Sequence, residues 1–141
     1  MAVESGDWIS ALPGWEQEMR VGVDLVDIAR LSRVLSRSPS FARKVFTPSE
    51  VAIGESLSPG RRIEFLAGRF AAKEAALKAL GTGALSVANM TDVEILRGTD
   101  GAPKLVFYGK AREIMSALGV REGLTSISHD CDKAVAVVVL V

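Results

Sequence analysis

Glu74 and Lys78 stand four residues apart on the longest stretch of helical periodicity in the chain. On a helical wheel Ile63, Leu66, Ala67, Phe70 and Leu77 form one apolar stripe, with Glu74 inside it and Lys78 at its edge. An unpaired carboxylate is costly to bury, so Glu74 calls for a partner. One reading is an i, i+4 ion pair with Lys78, worth roughly a few tenths of a kcal/mol. The other is a metal ligand followed one helical turn later by a phosphate-binding lysine. Asp24 bears on the choice, because it interrupts the apolar run of residues 21–26 although aspartate is disfavoured inside strands. Alone, it reads as a strand-end residue capping the next helix. Together, Asp24 and Glu74 are also the donor set of a Mg²⁺ site, which takes one or two carboxylates and completes its shell with water and phosphate oxygens.

Three further features sit near this pair in the reading. Gly81-Thr82-Gly83 follows Lys78 directly. Gly81 terminates a helix without any ligand, and glycines also bare N–H groups that cradle phosphate oxygens. His129, the sole histidine, ends an expected strand, where a structural role and a site role are both open. Arg30, Arg33 and Arg37 repeat with the same spacing as Ile28, Leu31 and Leu35, so a helix there has one apolar face and one face of guanidinium groups. A solvated helix face usually mixes signs; this one points to an acidic partner.

The elements that must position these residues follow from periodicity and breaks. Residues 21–26 read as a strand, and the arginine-bearing helix after it stops at Ser38-Pro39-Ser40. Thr47-Pro48-Ser49-Glu50 is a capping-box helix start. The long helix spans about residues 62–80. Its second face, Phe65, Ala72, Ala76 and Ala79, allows close approach, so it should be covered on two sides. Residues 92–95 and 104–108 read as strands joined through Asp100-Gly101. A short helix carries Ala111, Ile114, Met115 and Leu118. Residues 124–129 and 134–141 are two more strands, and the last, apolar on both faces, belongs in the middle of a sheet. Hairpins mixed with helices favour an α+β fold, a mostly antiparallel sheet on a long central helix.

Composition bounds the rest. With 141 residues, one domain is expected. A single cysteine, Cys131, rules out an intrachain disulfide and a cysteine-based zinc site. The longest apolar run, residues 134–141, is too short to span a bilayer. The start of the chain lacks the features of a secretory signal, and a reducing cytoplasm is the expected setting. The formal charge is zero, from 17 basic and 17 acidic residues, but it is unevenly spread. Residues 1–19 carry Glu4, Asp7, Glu16 and Glu18 and no lysine or arginine, and they read as an extension before a domain at residues 20–141. Residues 28–49 carry Arg30, Arg33, Arg37, Arg43 and Lys44 and no acid.

Taken together, Gly22-Val23-Asp24-Leu25-Val26, residues 41–50, Phe65-Leu66-Ala67-Gly68-Arg69-Phe70-Ala71-Ala72-Lys73-Glu74-Ala75, the stretch from Lys78 to Gly83, and Ser126-Ile127-Ser128-His129 resemble the holo-acyl-carrier-protein synthase family, the small type of 4′-phosphopantetheinyl transferase. The resemblance implies transfer of the phosphopantetheine arm of coenzyme A to a serine of an acyl carrier protein, with release of adenosine 3′,5′-bisphosphate. It implies Asp24 and Glu74 as Mg²⁺ ligands and Lys78 as the lysine on the coenzyme A phosphates. Gly81, Thr82, Gly83 and His129 match positions lining the coenzyme A site, and Arg30, Phe41, Lys44 and Phe70 match positions that meet the carrier. It also implies a homotrimer with sites between subunits. Arg33 and Arg37 join the carrier face by the helical wheel alone. The alternatives are a non-catalytic coenzyme A or carrier-binding module and a nucleic-acid binder using the arginine helix. The neutral total charge and the lack of interleaved aromatics disfavour the last, and neither nucleic acid nor membrane is an expected partner.

Overall fold

The computed structural model describes residues 19–81 and 88–141. Its first strand, β1 (Arg20–Asp27), runs into helix α1 (Ile28–Arg37). Helices α2 (Pro39–Val45), α3 (Pro48–Glu55) and α4 (Pro59–Ala79) follow. A hairpin of β2 (Val93–Arg97) and β3 (Pro103–Phe107) leads to helix α5 (Gly109–Ala117), and the chain closes with β4 (Gly123–Asp130) and β5 (Lys133–Leu140).

The three long strands form an antiparallel sheet in the order β1-β5-β4. The last strand is therefore central, as its two apolar faces require. Its inward residues Ala134, Ala136, Val138 and Leu140 are fully buried against α4. That helix is rich in alanine, the strongest helix former, and it opens on Pro59 at its first turn, where the missing N–H costs nothing. The helix thus begins three residues earlier than periodicity suggests. It ends at Gly81, which adopts φ +79°, the left-handed conformation that suits glycine. A helix over residues 39–45, absent from the sequence reading, starts the same way, with Pro39 in its first turn.

Both faces of α4 are covered, as its alanines imply. Ala67, Ala71, Ala72, Ala75 and Ala76 are all at 0% exposure. On the sheet side the approach is closest at Gly22, where a Cβ would lie 1.9 Å from the backbone oxygen of Ala75. On the far side sit α3 and β2. There Glu50 Oε1 meets Lys73 Nζ at 2.6 Å with both side chains fully buried. Glu50 also accepts from the Thr47 and Ile95 amides, both at 2.9 Å, and Lys73 donates to the carbonyls of Met90 and Val93. Thr47 and Glu50 form the expected capping box.

The outer face of the three-stranded sheet is different. Val21, Val23, Leu25 and Leu124 are each more than half exposed on it, and Val137 lies among them. A contiguous apolar surface of this kind marks an interaction site.

Candidate active site

Alternation along β1 puts Gly22, Asp24 and Val26 on the side facing α4. The Gly22–Ala75 approach then brings Asp24 close to the face of α4 that carries Glu74 and Lys78. Lys78 Nζ donates to Asp24 Oδ1 at 2.9 Å and to the Val23 carbonyl at 3.2 Å. Lys78 thus bonds across to the strand, where the i, i+4 reading had joined it to Glu74. The capping role considered for Asp24 belongs to Asp27, whose side chain accepts from the Arg30 amide at the start of α1.

Asp24 and Glu74 line one cleft of about 540 Å³. Burial pushes the Glu74 carboxyl above its ordinary range, the Asp24 charge adds to this, and Lys78 opposes it. Two carboxylates that resist sharing a site as anions are a pair to which a divalent cation brings relief. Among the described residues no group of three or more His, Cys, Asp and Glu converges as a metal cage. Two carboxylates facing an open cleft fit Mg²⁺, which keeps several waters, better than they fit an all-protein site.

The same cleft is lined by Arg30, Phe41 and Phe70. The rings of Phe41 and Phe70 sit 6.1 Å apart, tilted by 36°. Arg33 and Arg37 are exposed on α1, and Lys44 is exposed on α2. Ile28 and Leu31 are buried beneath, so the two-faced helix is as the spacing requires. Gly81 is exposed at the end of α4; Thr82 and Gly83 lie outside the described residues.

His129 is placed elsewhere. It lies on β4, with Nε2 4.0 Å from Glu64 Oε2, in a hollow of about 250 Å³. Ten residues of α4 separate Glu64 from Glu74, which is about 15 Å along a helix. One chain therefore does not bring His129 to the carboxylate pair. Its hollow is basic, because Arg61, Arg69 and Arg97 line it as well. The Arg69 guanidinium stacks 4.2 Å above the Phe65 ring, and its buried Nε has no hydrogen-bond partner. Burial pushes Arg69 down to about 10, with Arg97 contributing and Glu50 opposing. The sequence reading passed over these arginines. The i, i+4 spacing of Phe65 and Arg69 was the available signal.

Known proteins match this chain in sequence and fold. The sequence model of the 4′-phosphopantetheinyl transferase superfamily matches residues 20–136. The chain belongs to this superfamily. Holo-[acyl-carrier-protein] synthase from Moorella thermoacetica is 42% identical over 123 residues, covering 87% of this chain and 93% of that protein. Among solved structures, the ACPS–CoA complex from Chronobacterium ammoniagenes is similar with a TM-score of 0.77 and 36% identity, over 88% of this chain and 97% of that one. The holo-[acyl-carrier-protein] synthase of Helicobacter pylori in complex with coenzyme A is similar with a TM-score of 0.71 and 30% identity, over 86% of this chain and 99% of that one. For a member of this superfamily, an α+β fold of antiparallel strands on a long helix is the one these structures share.

Proposed function

We propose that the chain is a Mg²⁺-dependent holo-[acyl-carrier-protein] synthase. It moves the 4′-phosphopantetheine arm of coenzyme A to a serine of an acidic acyl carrier protein and releases adenosine 3′,5′-bisphosphate. The observation that carries this reading is the single cleft that unites the Asp24–Glu74 pair with Arg30, Phe41 and Phe70, with Lys78 bonded to Asp24. Supporting it are relatives named for the activity and solved neighbours described with coenzyme A.

In the proposed reaction the serine oxygen bonds to the phosphorus bearing the pantetheine arm. The bond from that phosphorus to the bridging oxygen breaks, and the hydroxyl proton passes to water. Phosphoryl transfer is mostly positioning and charge stabilisation. Asp24 and Glu74 would hold Mg²⁺, which when bound offsets the charge of the diphosphate. Lys78, already turned toward Asp24, stabilises the departing phosphate oxygens. Gly81 lies at the coenzyme A phosphates in this reading, a part that the resemblance also gives to Thr82 and Gly83. Arg30, Arg33, Arg37 and Lys44 attract the acidic carrier, and Phe41 and Phe70 give it an apolar seat.

The active assembly is a homotrimer in this reading, with each site shared between copies. The uncovered apolar sheet face supports an assembly, and so does the separation of His129 from the carboxylate pair. The basic hollow of Arg61, Arg69, Arg97 and His129 then meets the anionic nucleotide end of coenzyme A bound to a neighbouring copy. Residues 20–141 form the catalytic domain and residues 1–19 an extension to it. The setting is the cytoplasm; among the described residues no helix is long and apolar enough to cross a membrane.

The test is incubation with an apo-carrier, coenzyme A and Mg²⁺, read by intact mass. The expected result is a carrier heavier by one phosphopantetheine arm. Binding of coenzyme A without any added arm, across fatty-acid and polyketide carriers alike, would replace the reading with a non-catalytic binding module.

A further inference from the structure

Asp27 closes β1 and opens α1, and it uses both carboxylate oxygens in doing so. Oδ1 accepts from the Arg30 amide at 2.9 Å. Oδ2 accepts from Lys133 Nζ at 2.8 Å. Lys133 is the first residue of β5 and stands directly opposite Asp27 in the sheet register. The Ile28 amide donates to the carbonyl of Asp132, in the turn before β5, at 2.9 Å, so the β4–β5 turn and the start of β5 hold the start of α1 at two points. Asp27, Lys133 and Arg30 all line the cleft that holds Asp24 and Glu74.

We infer that Asp27 and Lys133 are a positioning pair that fixes the first turn of α1 and so holds Arg30 at the cleft for the carrier. The inference rests on the carrier-docking reading above and adds two residues to it. Both side chains are about two-fifths exposed, at 41% and 42%. An exposed ion pair contributes little to global stability, so its value here is local. It sets where a helix begins, and the arginine three residues on moves with that start. Lys133 also reaches Asp132 at 3.4 Å, a longer contact that leaves Asp27 as its main partner.

The test is steady-state transfer with the full chain, varying apo-carrier and coenzyme A separately. Lys133→Met keeps the aliphatic stem and removes the charge. Asp27→Asn keeps a capping oxygen, since asparagine caps as well as aspartate, and removes the anion. Each variant is expected to raise KM for the carrier about two- to fivefold, the range to which an exposed ion pair converts. kcat at saturating carrier and KM for coenzyme A stay at the wild-type values, and Lys133→Arg restores the carrier KM. The double variant is no worse than the worse single one, because each residue acts through the other. Additive losses in the double variant would mean that Lys133 touches the carrier by itself, and would overturn the inference. So would an unchanged carrier KM in both single variants, or an equal rise in both KM values. Wild-type protein that transfers nothing would take down the functional reading together with this one.

Discussion

Lys73 and Glu50 meet at 2.6 Å with neither side chain reaching solvent. Their pair lies beside the cleft residue in sequence, since the residue after Lys73 on α4 is Glu74. Desolvation pushes the Lys73 ammonium down, and the Glu50 charge opposes it. Removing one partner of such a pair strands the other as a bare buried charge. Lys73→Met is expected to cost about 3–5 kcal/mol, measured by urea denaturation. Glu50→Gln with Lys73→Met should cost much less than the sum of the two single changes. Additivity would show that the two residues are not a pair.

Glu74 carries a penalty of the opposite sort. Its carboxyl is pushed up, first by burial and then by Asp24. The folded chain therefore binds a proton that the unfolded chain has lost, and stability falls as pH rises from the ordinary glutamate range through the raised one. In chelator-treated buffer at neutral pH, Glu74→Gln should melt higher than wild type. Added Mg²⁺ should raise the wild-type Tm and leave the variant unmoved, and the variant should transfer no arm. A variant that melts below wild type under chelation would overturn the account of this site.

How far the sequence spoke can be judged from these residues. Asp24 and Glu74 were legible because each breaks an apolar pattern, and a charge out of place is a strong local signal. β5 was legible as the central strand because its apolar run is unbroken on both faces. Lys73 was not, since a lysine beside a glutamate on a helix reads as solvated even with alanines around it. Its burial depends on β2, which lies twenty residues further along the chain. The bond from Lys78 to Asp24 was not visible either. An i, i+4 neighbour is visible in sequence, whereas Asp24 is brought to it only by the packing of β1 on α4. Asp27, Lys133 and the arginines around His129 are assembled from four separate elements, and no spacing along the chain announces them.

Arg30 is exposed on α1 and lines the cleft. Arg30→Glu should raise KM for the carrier by tenfold or so, the effect of setting like charges against each other at an interface. KM for coenzyme A should change far less. The carrier effect should shrink at high salt, where exposed charges are screened. An equal loss for both substrates would indicate a folding defect.

The proposed sharing of sites between copies makes a distinct prediction. His129→Ala and Glu74→Gln each disable a different side of the shared site. Mixed after dissociation and reassembled in equal amounts, they should recover activity at about one-quarter of the interfaces, the random share at which both sides are intact. Activity no higher than that of the separate variants would place His129 outside the reaction.

Among the described glycines Gly22 has the least room for a side chain. A methyl group there would lie 1.9 Å from the Ala75 oxygen and 2.9 Å from the Ala79 nitrogen. Gly22→Ala must push β1 off the helix, at a cost of about 1–3 kcal/mol or more, read by thermal and urea unfolding. The larger effect should be chemical: transfer should fall further than the fraction of unfolded chain accounts for. Preserved specific activity in the folded fraction would refute this.

That contact works as a spacer of zero thickness. Asp24 and Glu74 belong to elements that share no backbone hydrogen bond, so the height of the layer between strand and helix, bridged by the Lys78 bonds to Val23 and Asp24, sets the gap between the two carboxylates. Bare glycine against a helix backbone is the smallest such height a polypeptide can make. Side chains there could breathe by rotamer changes, but two backbones in contact cannot. The reach of the carboxylates toward the proposed Mg²⁺ is thus gauged by a residue that carries no chemistry of its own.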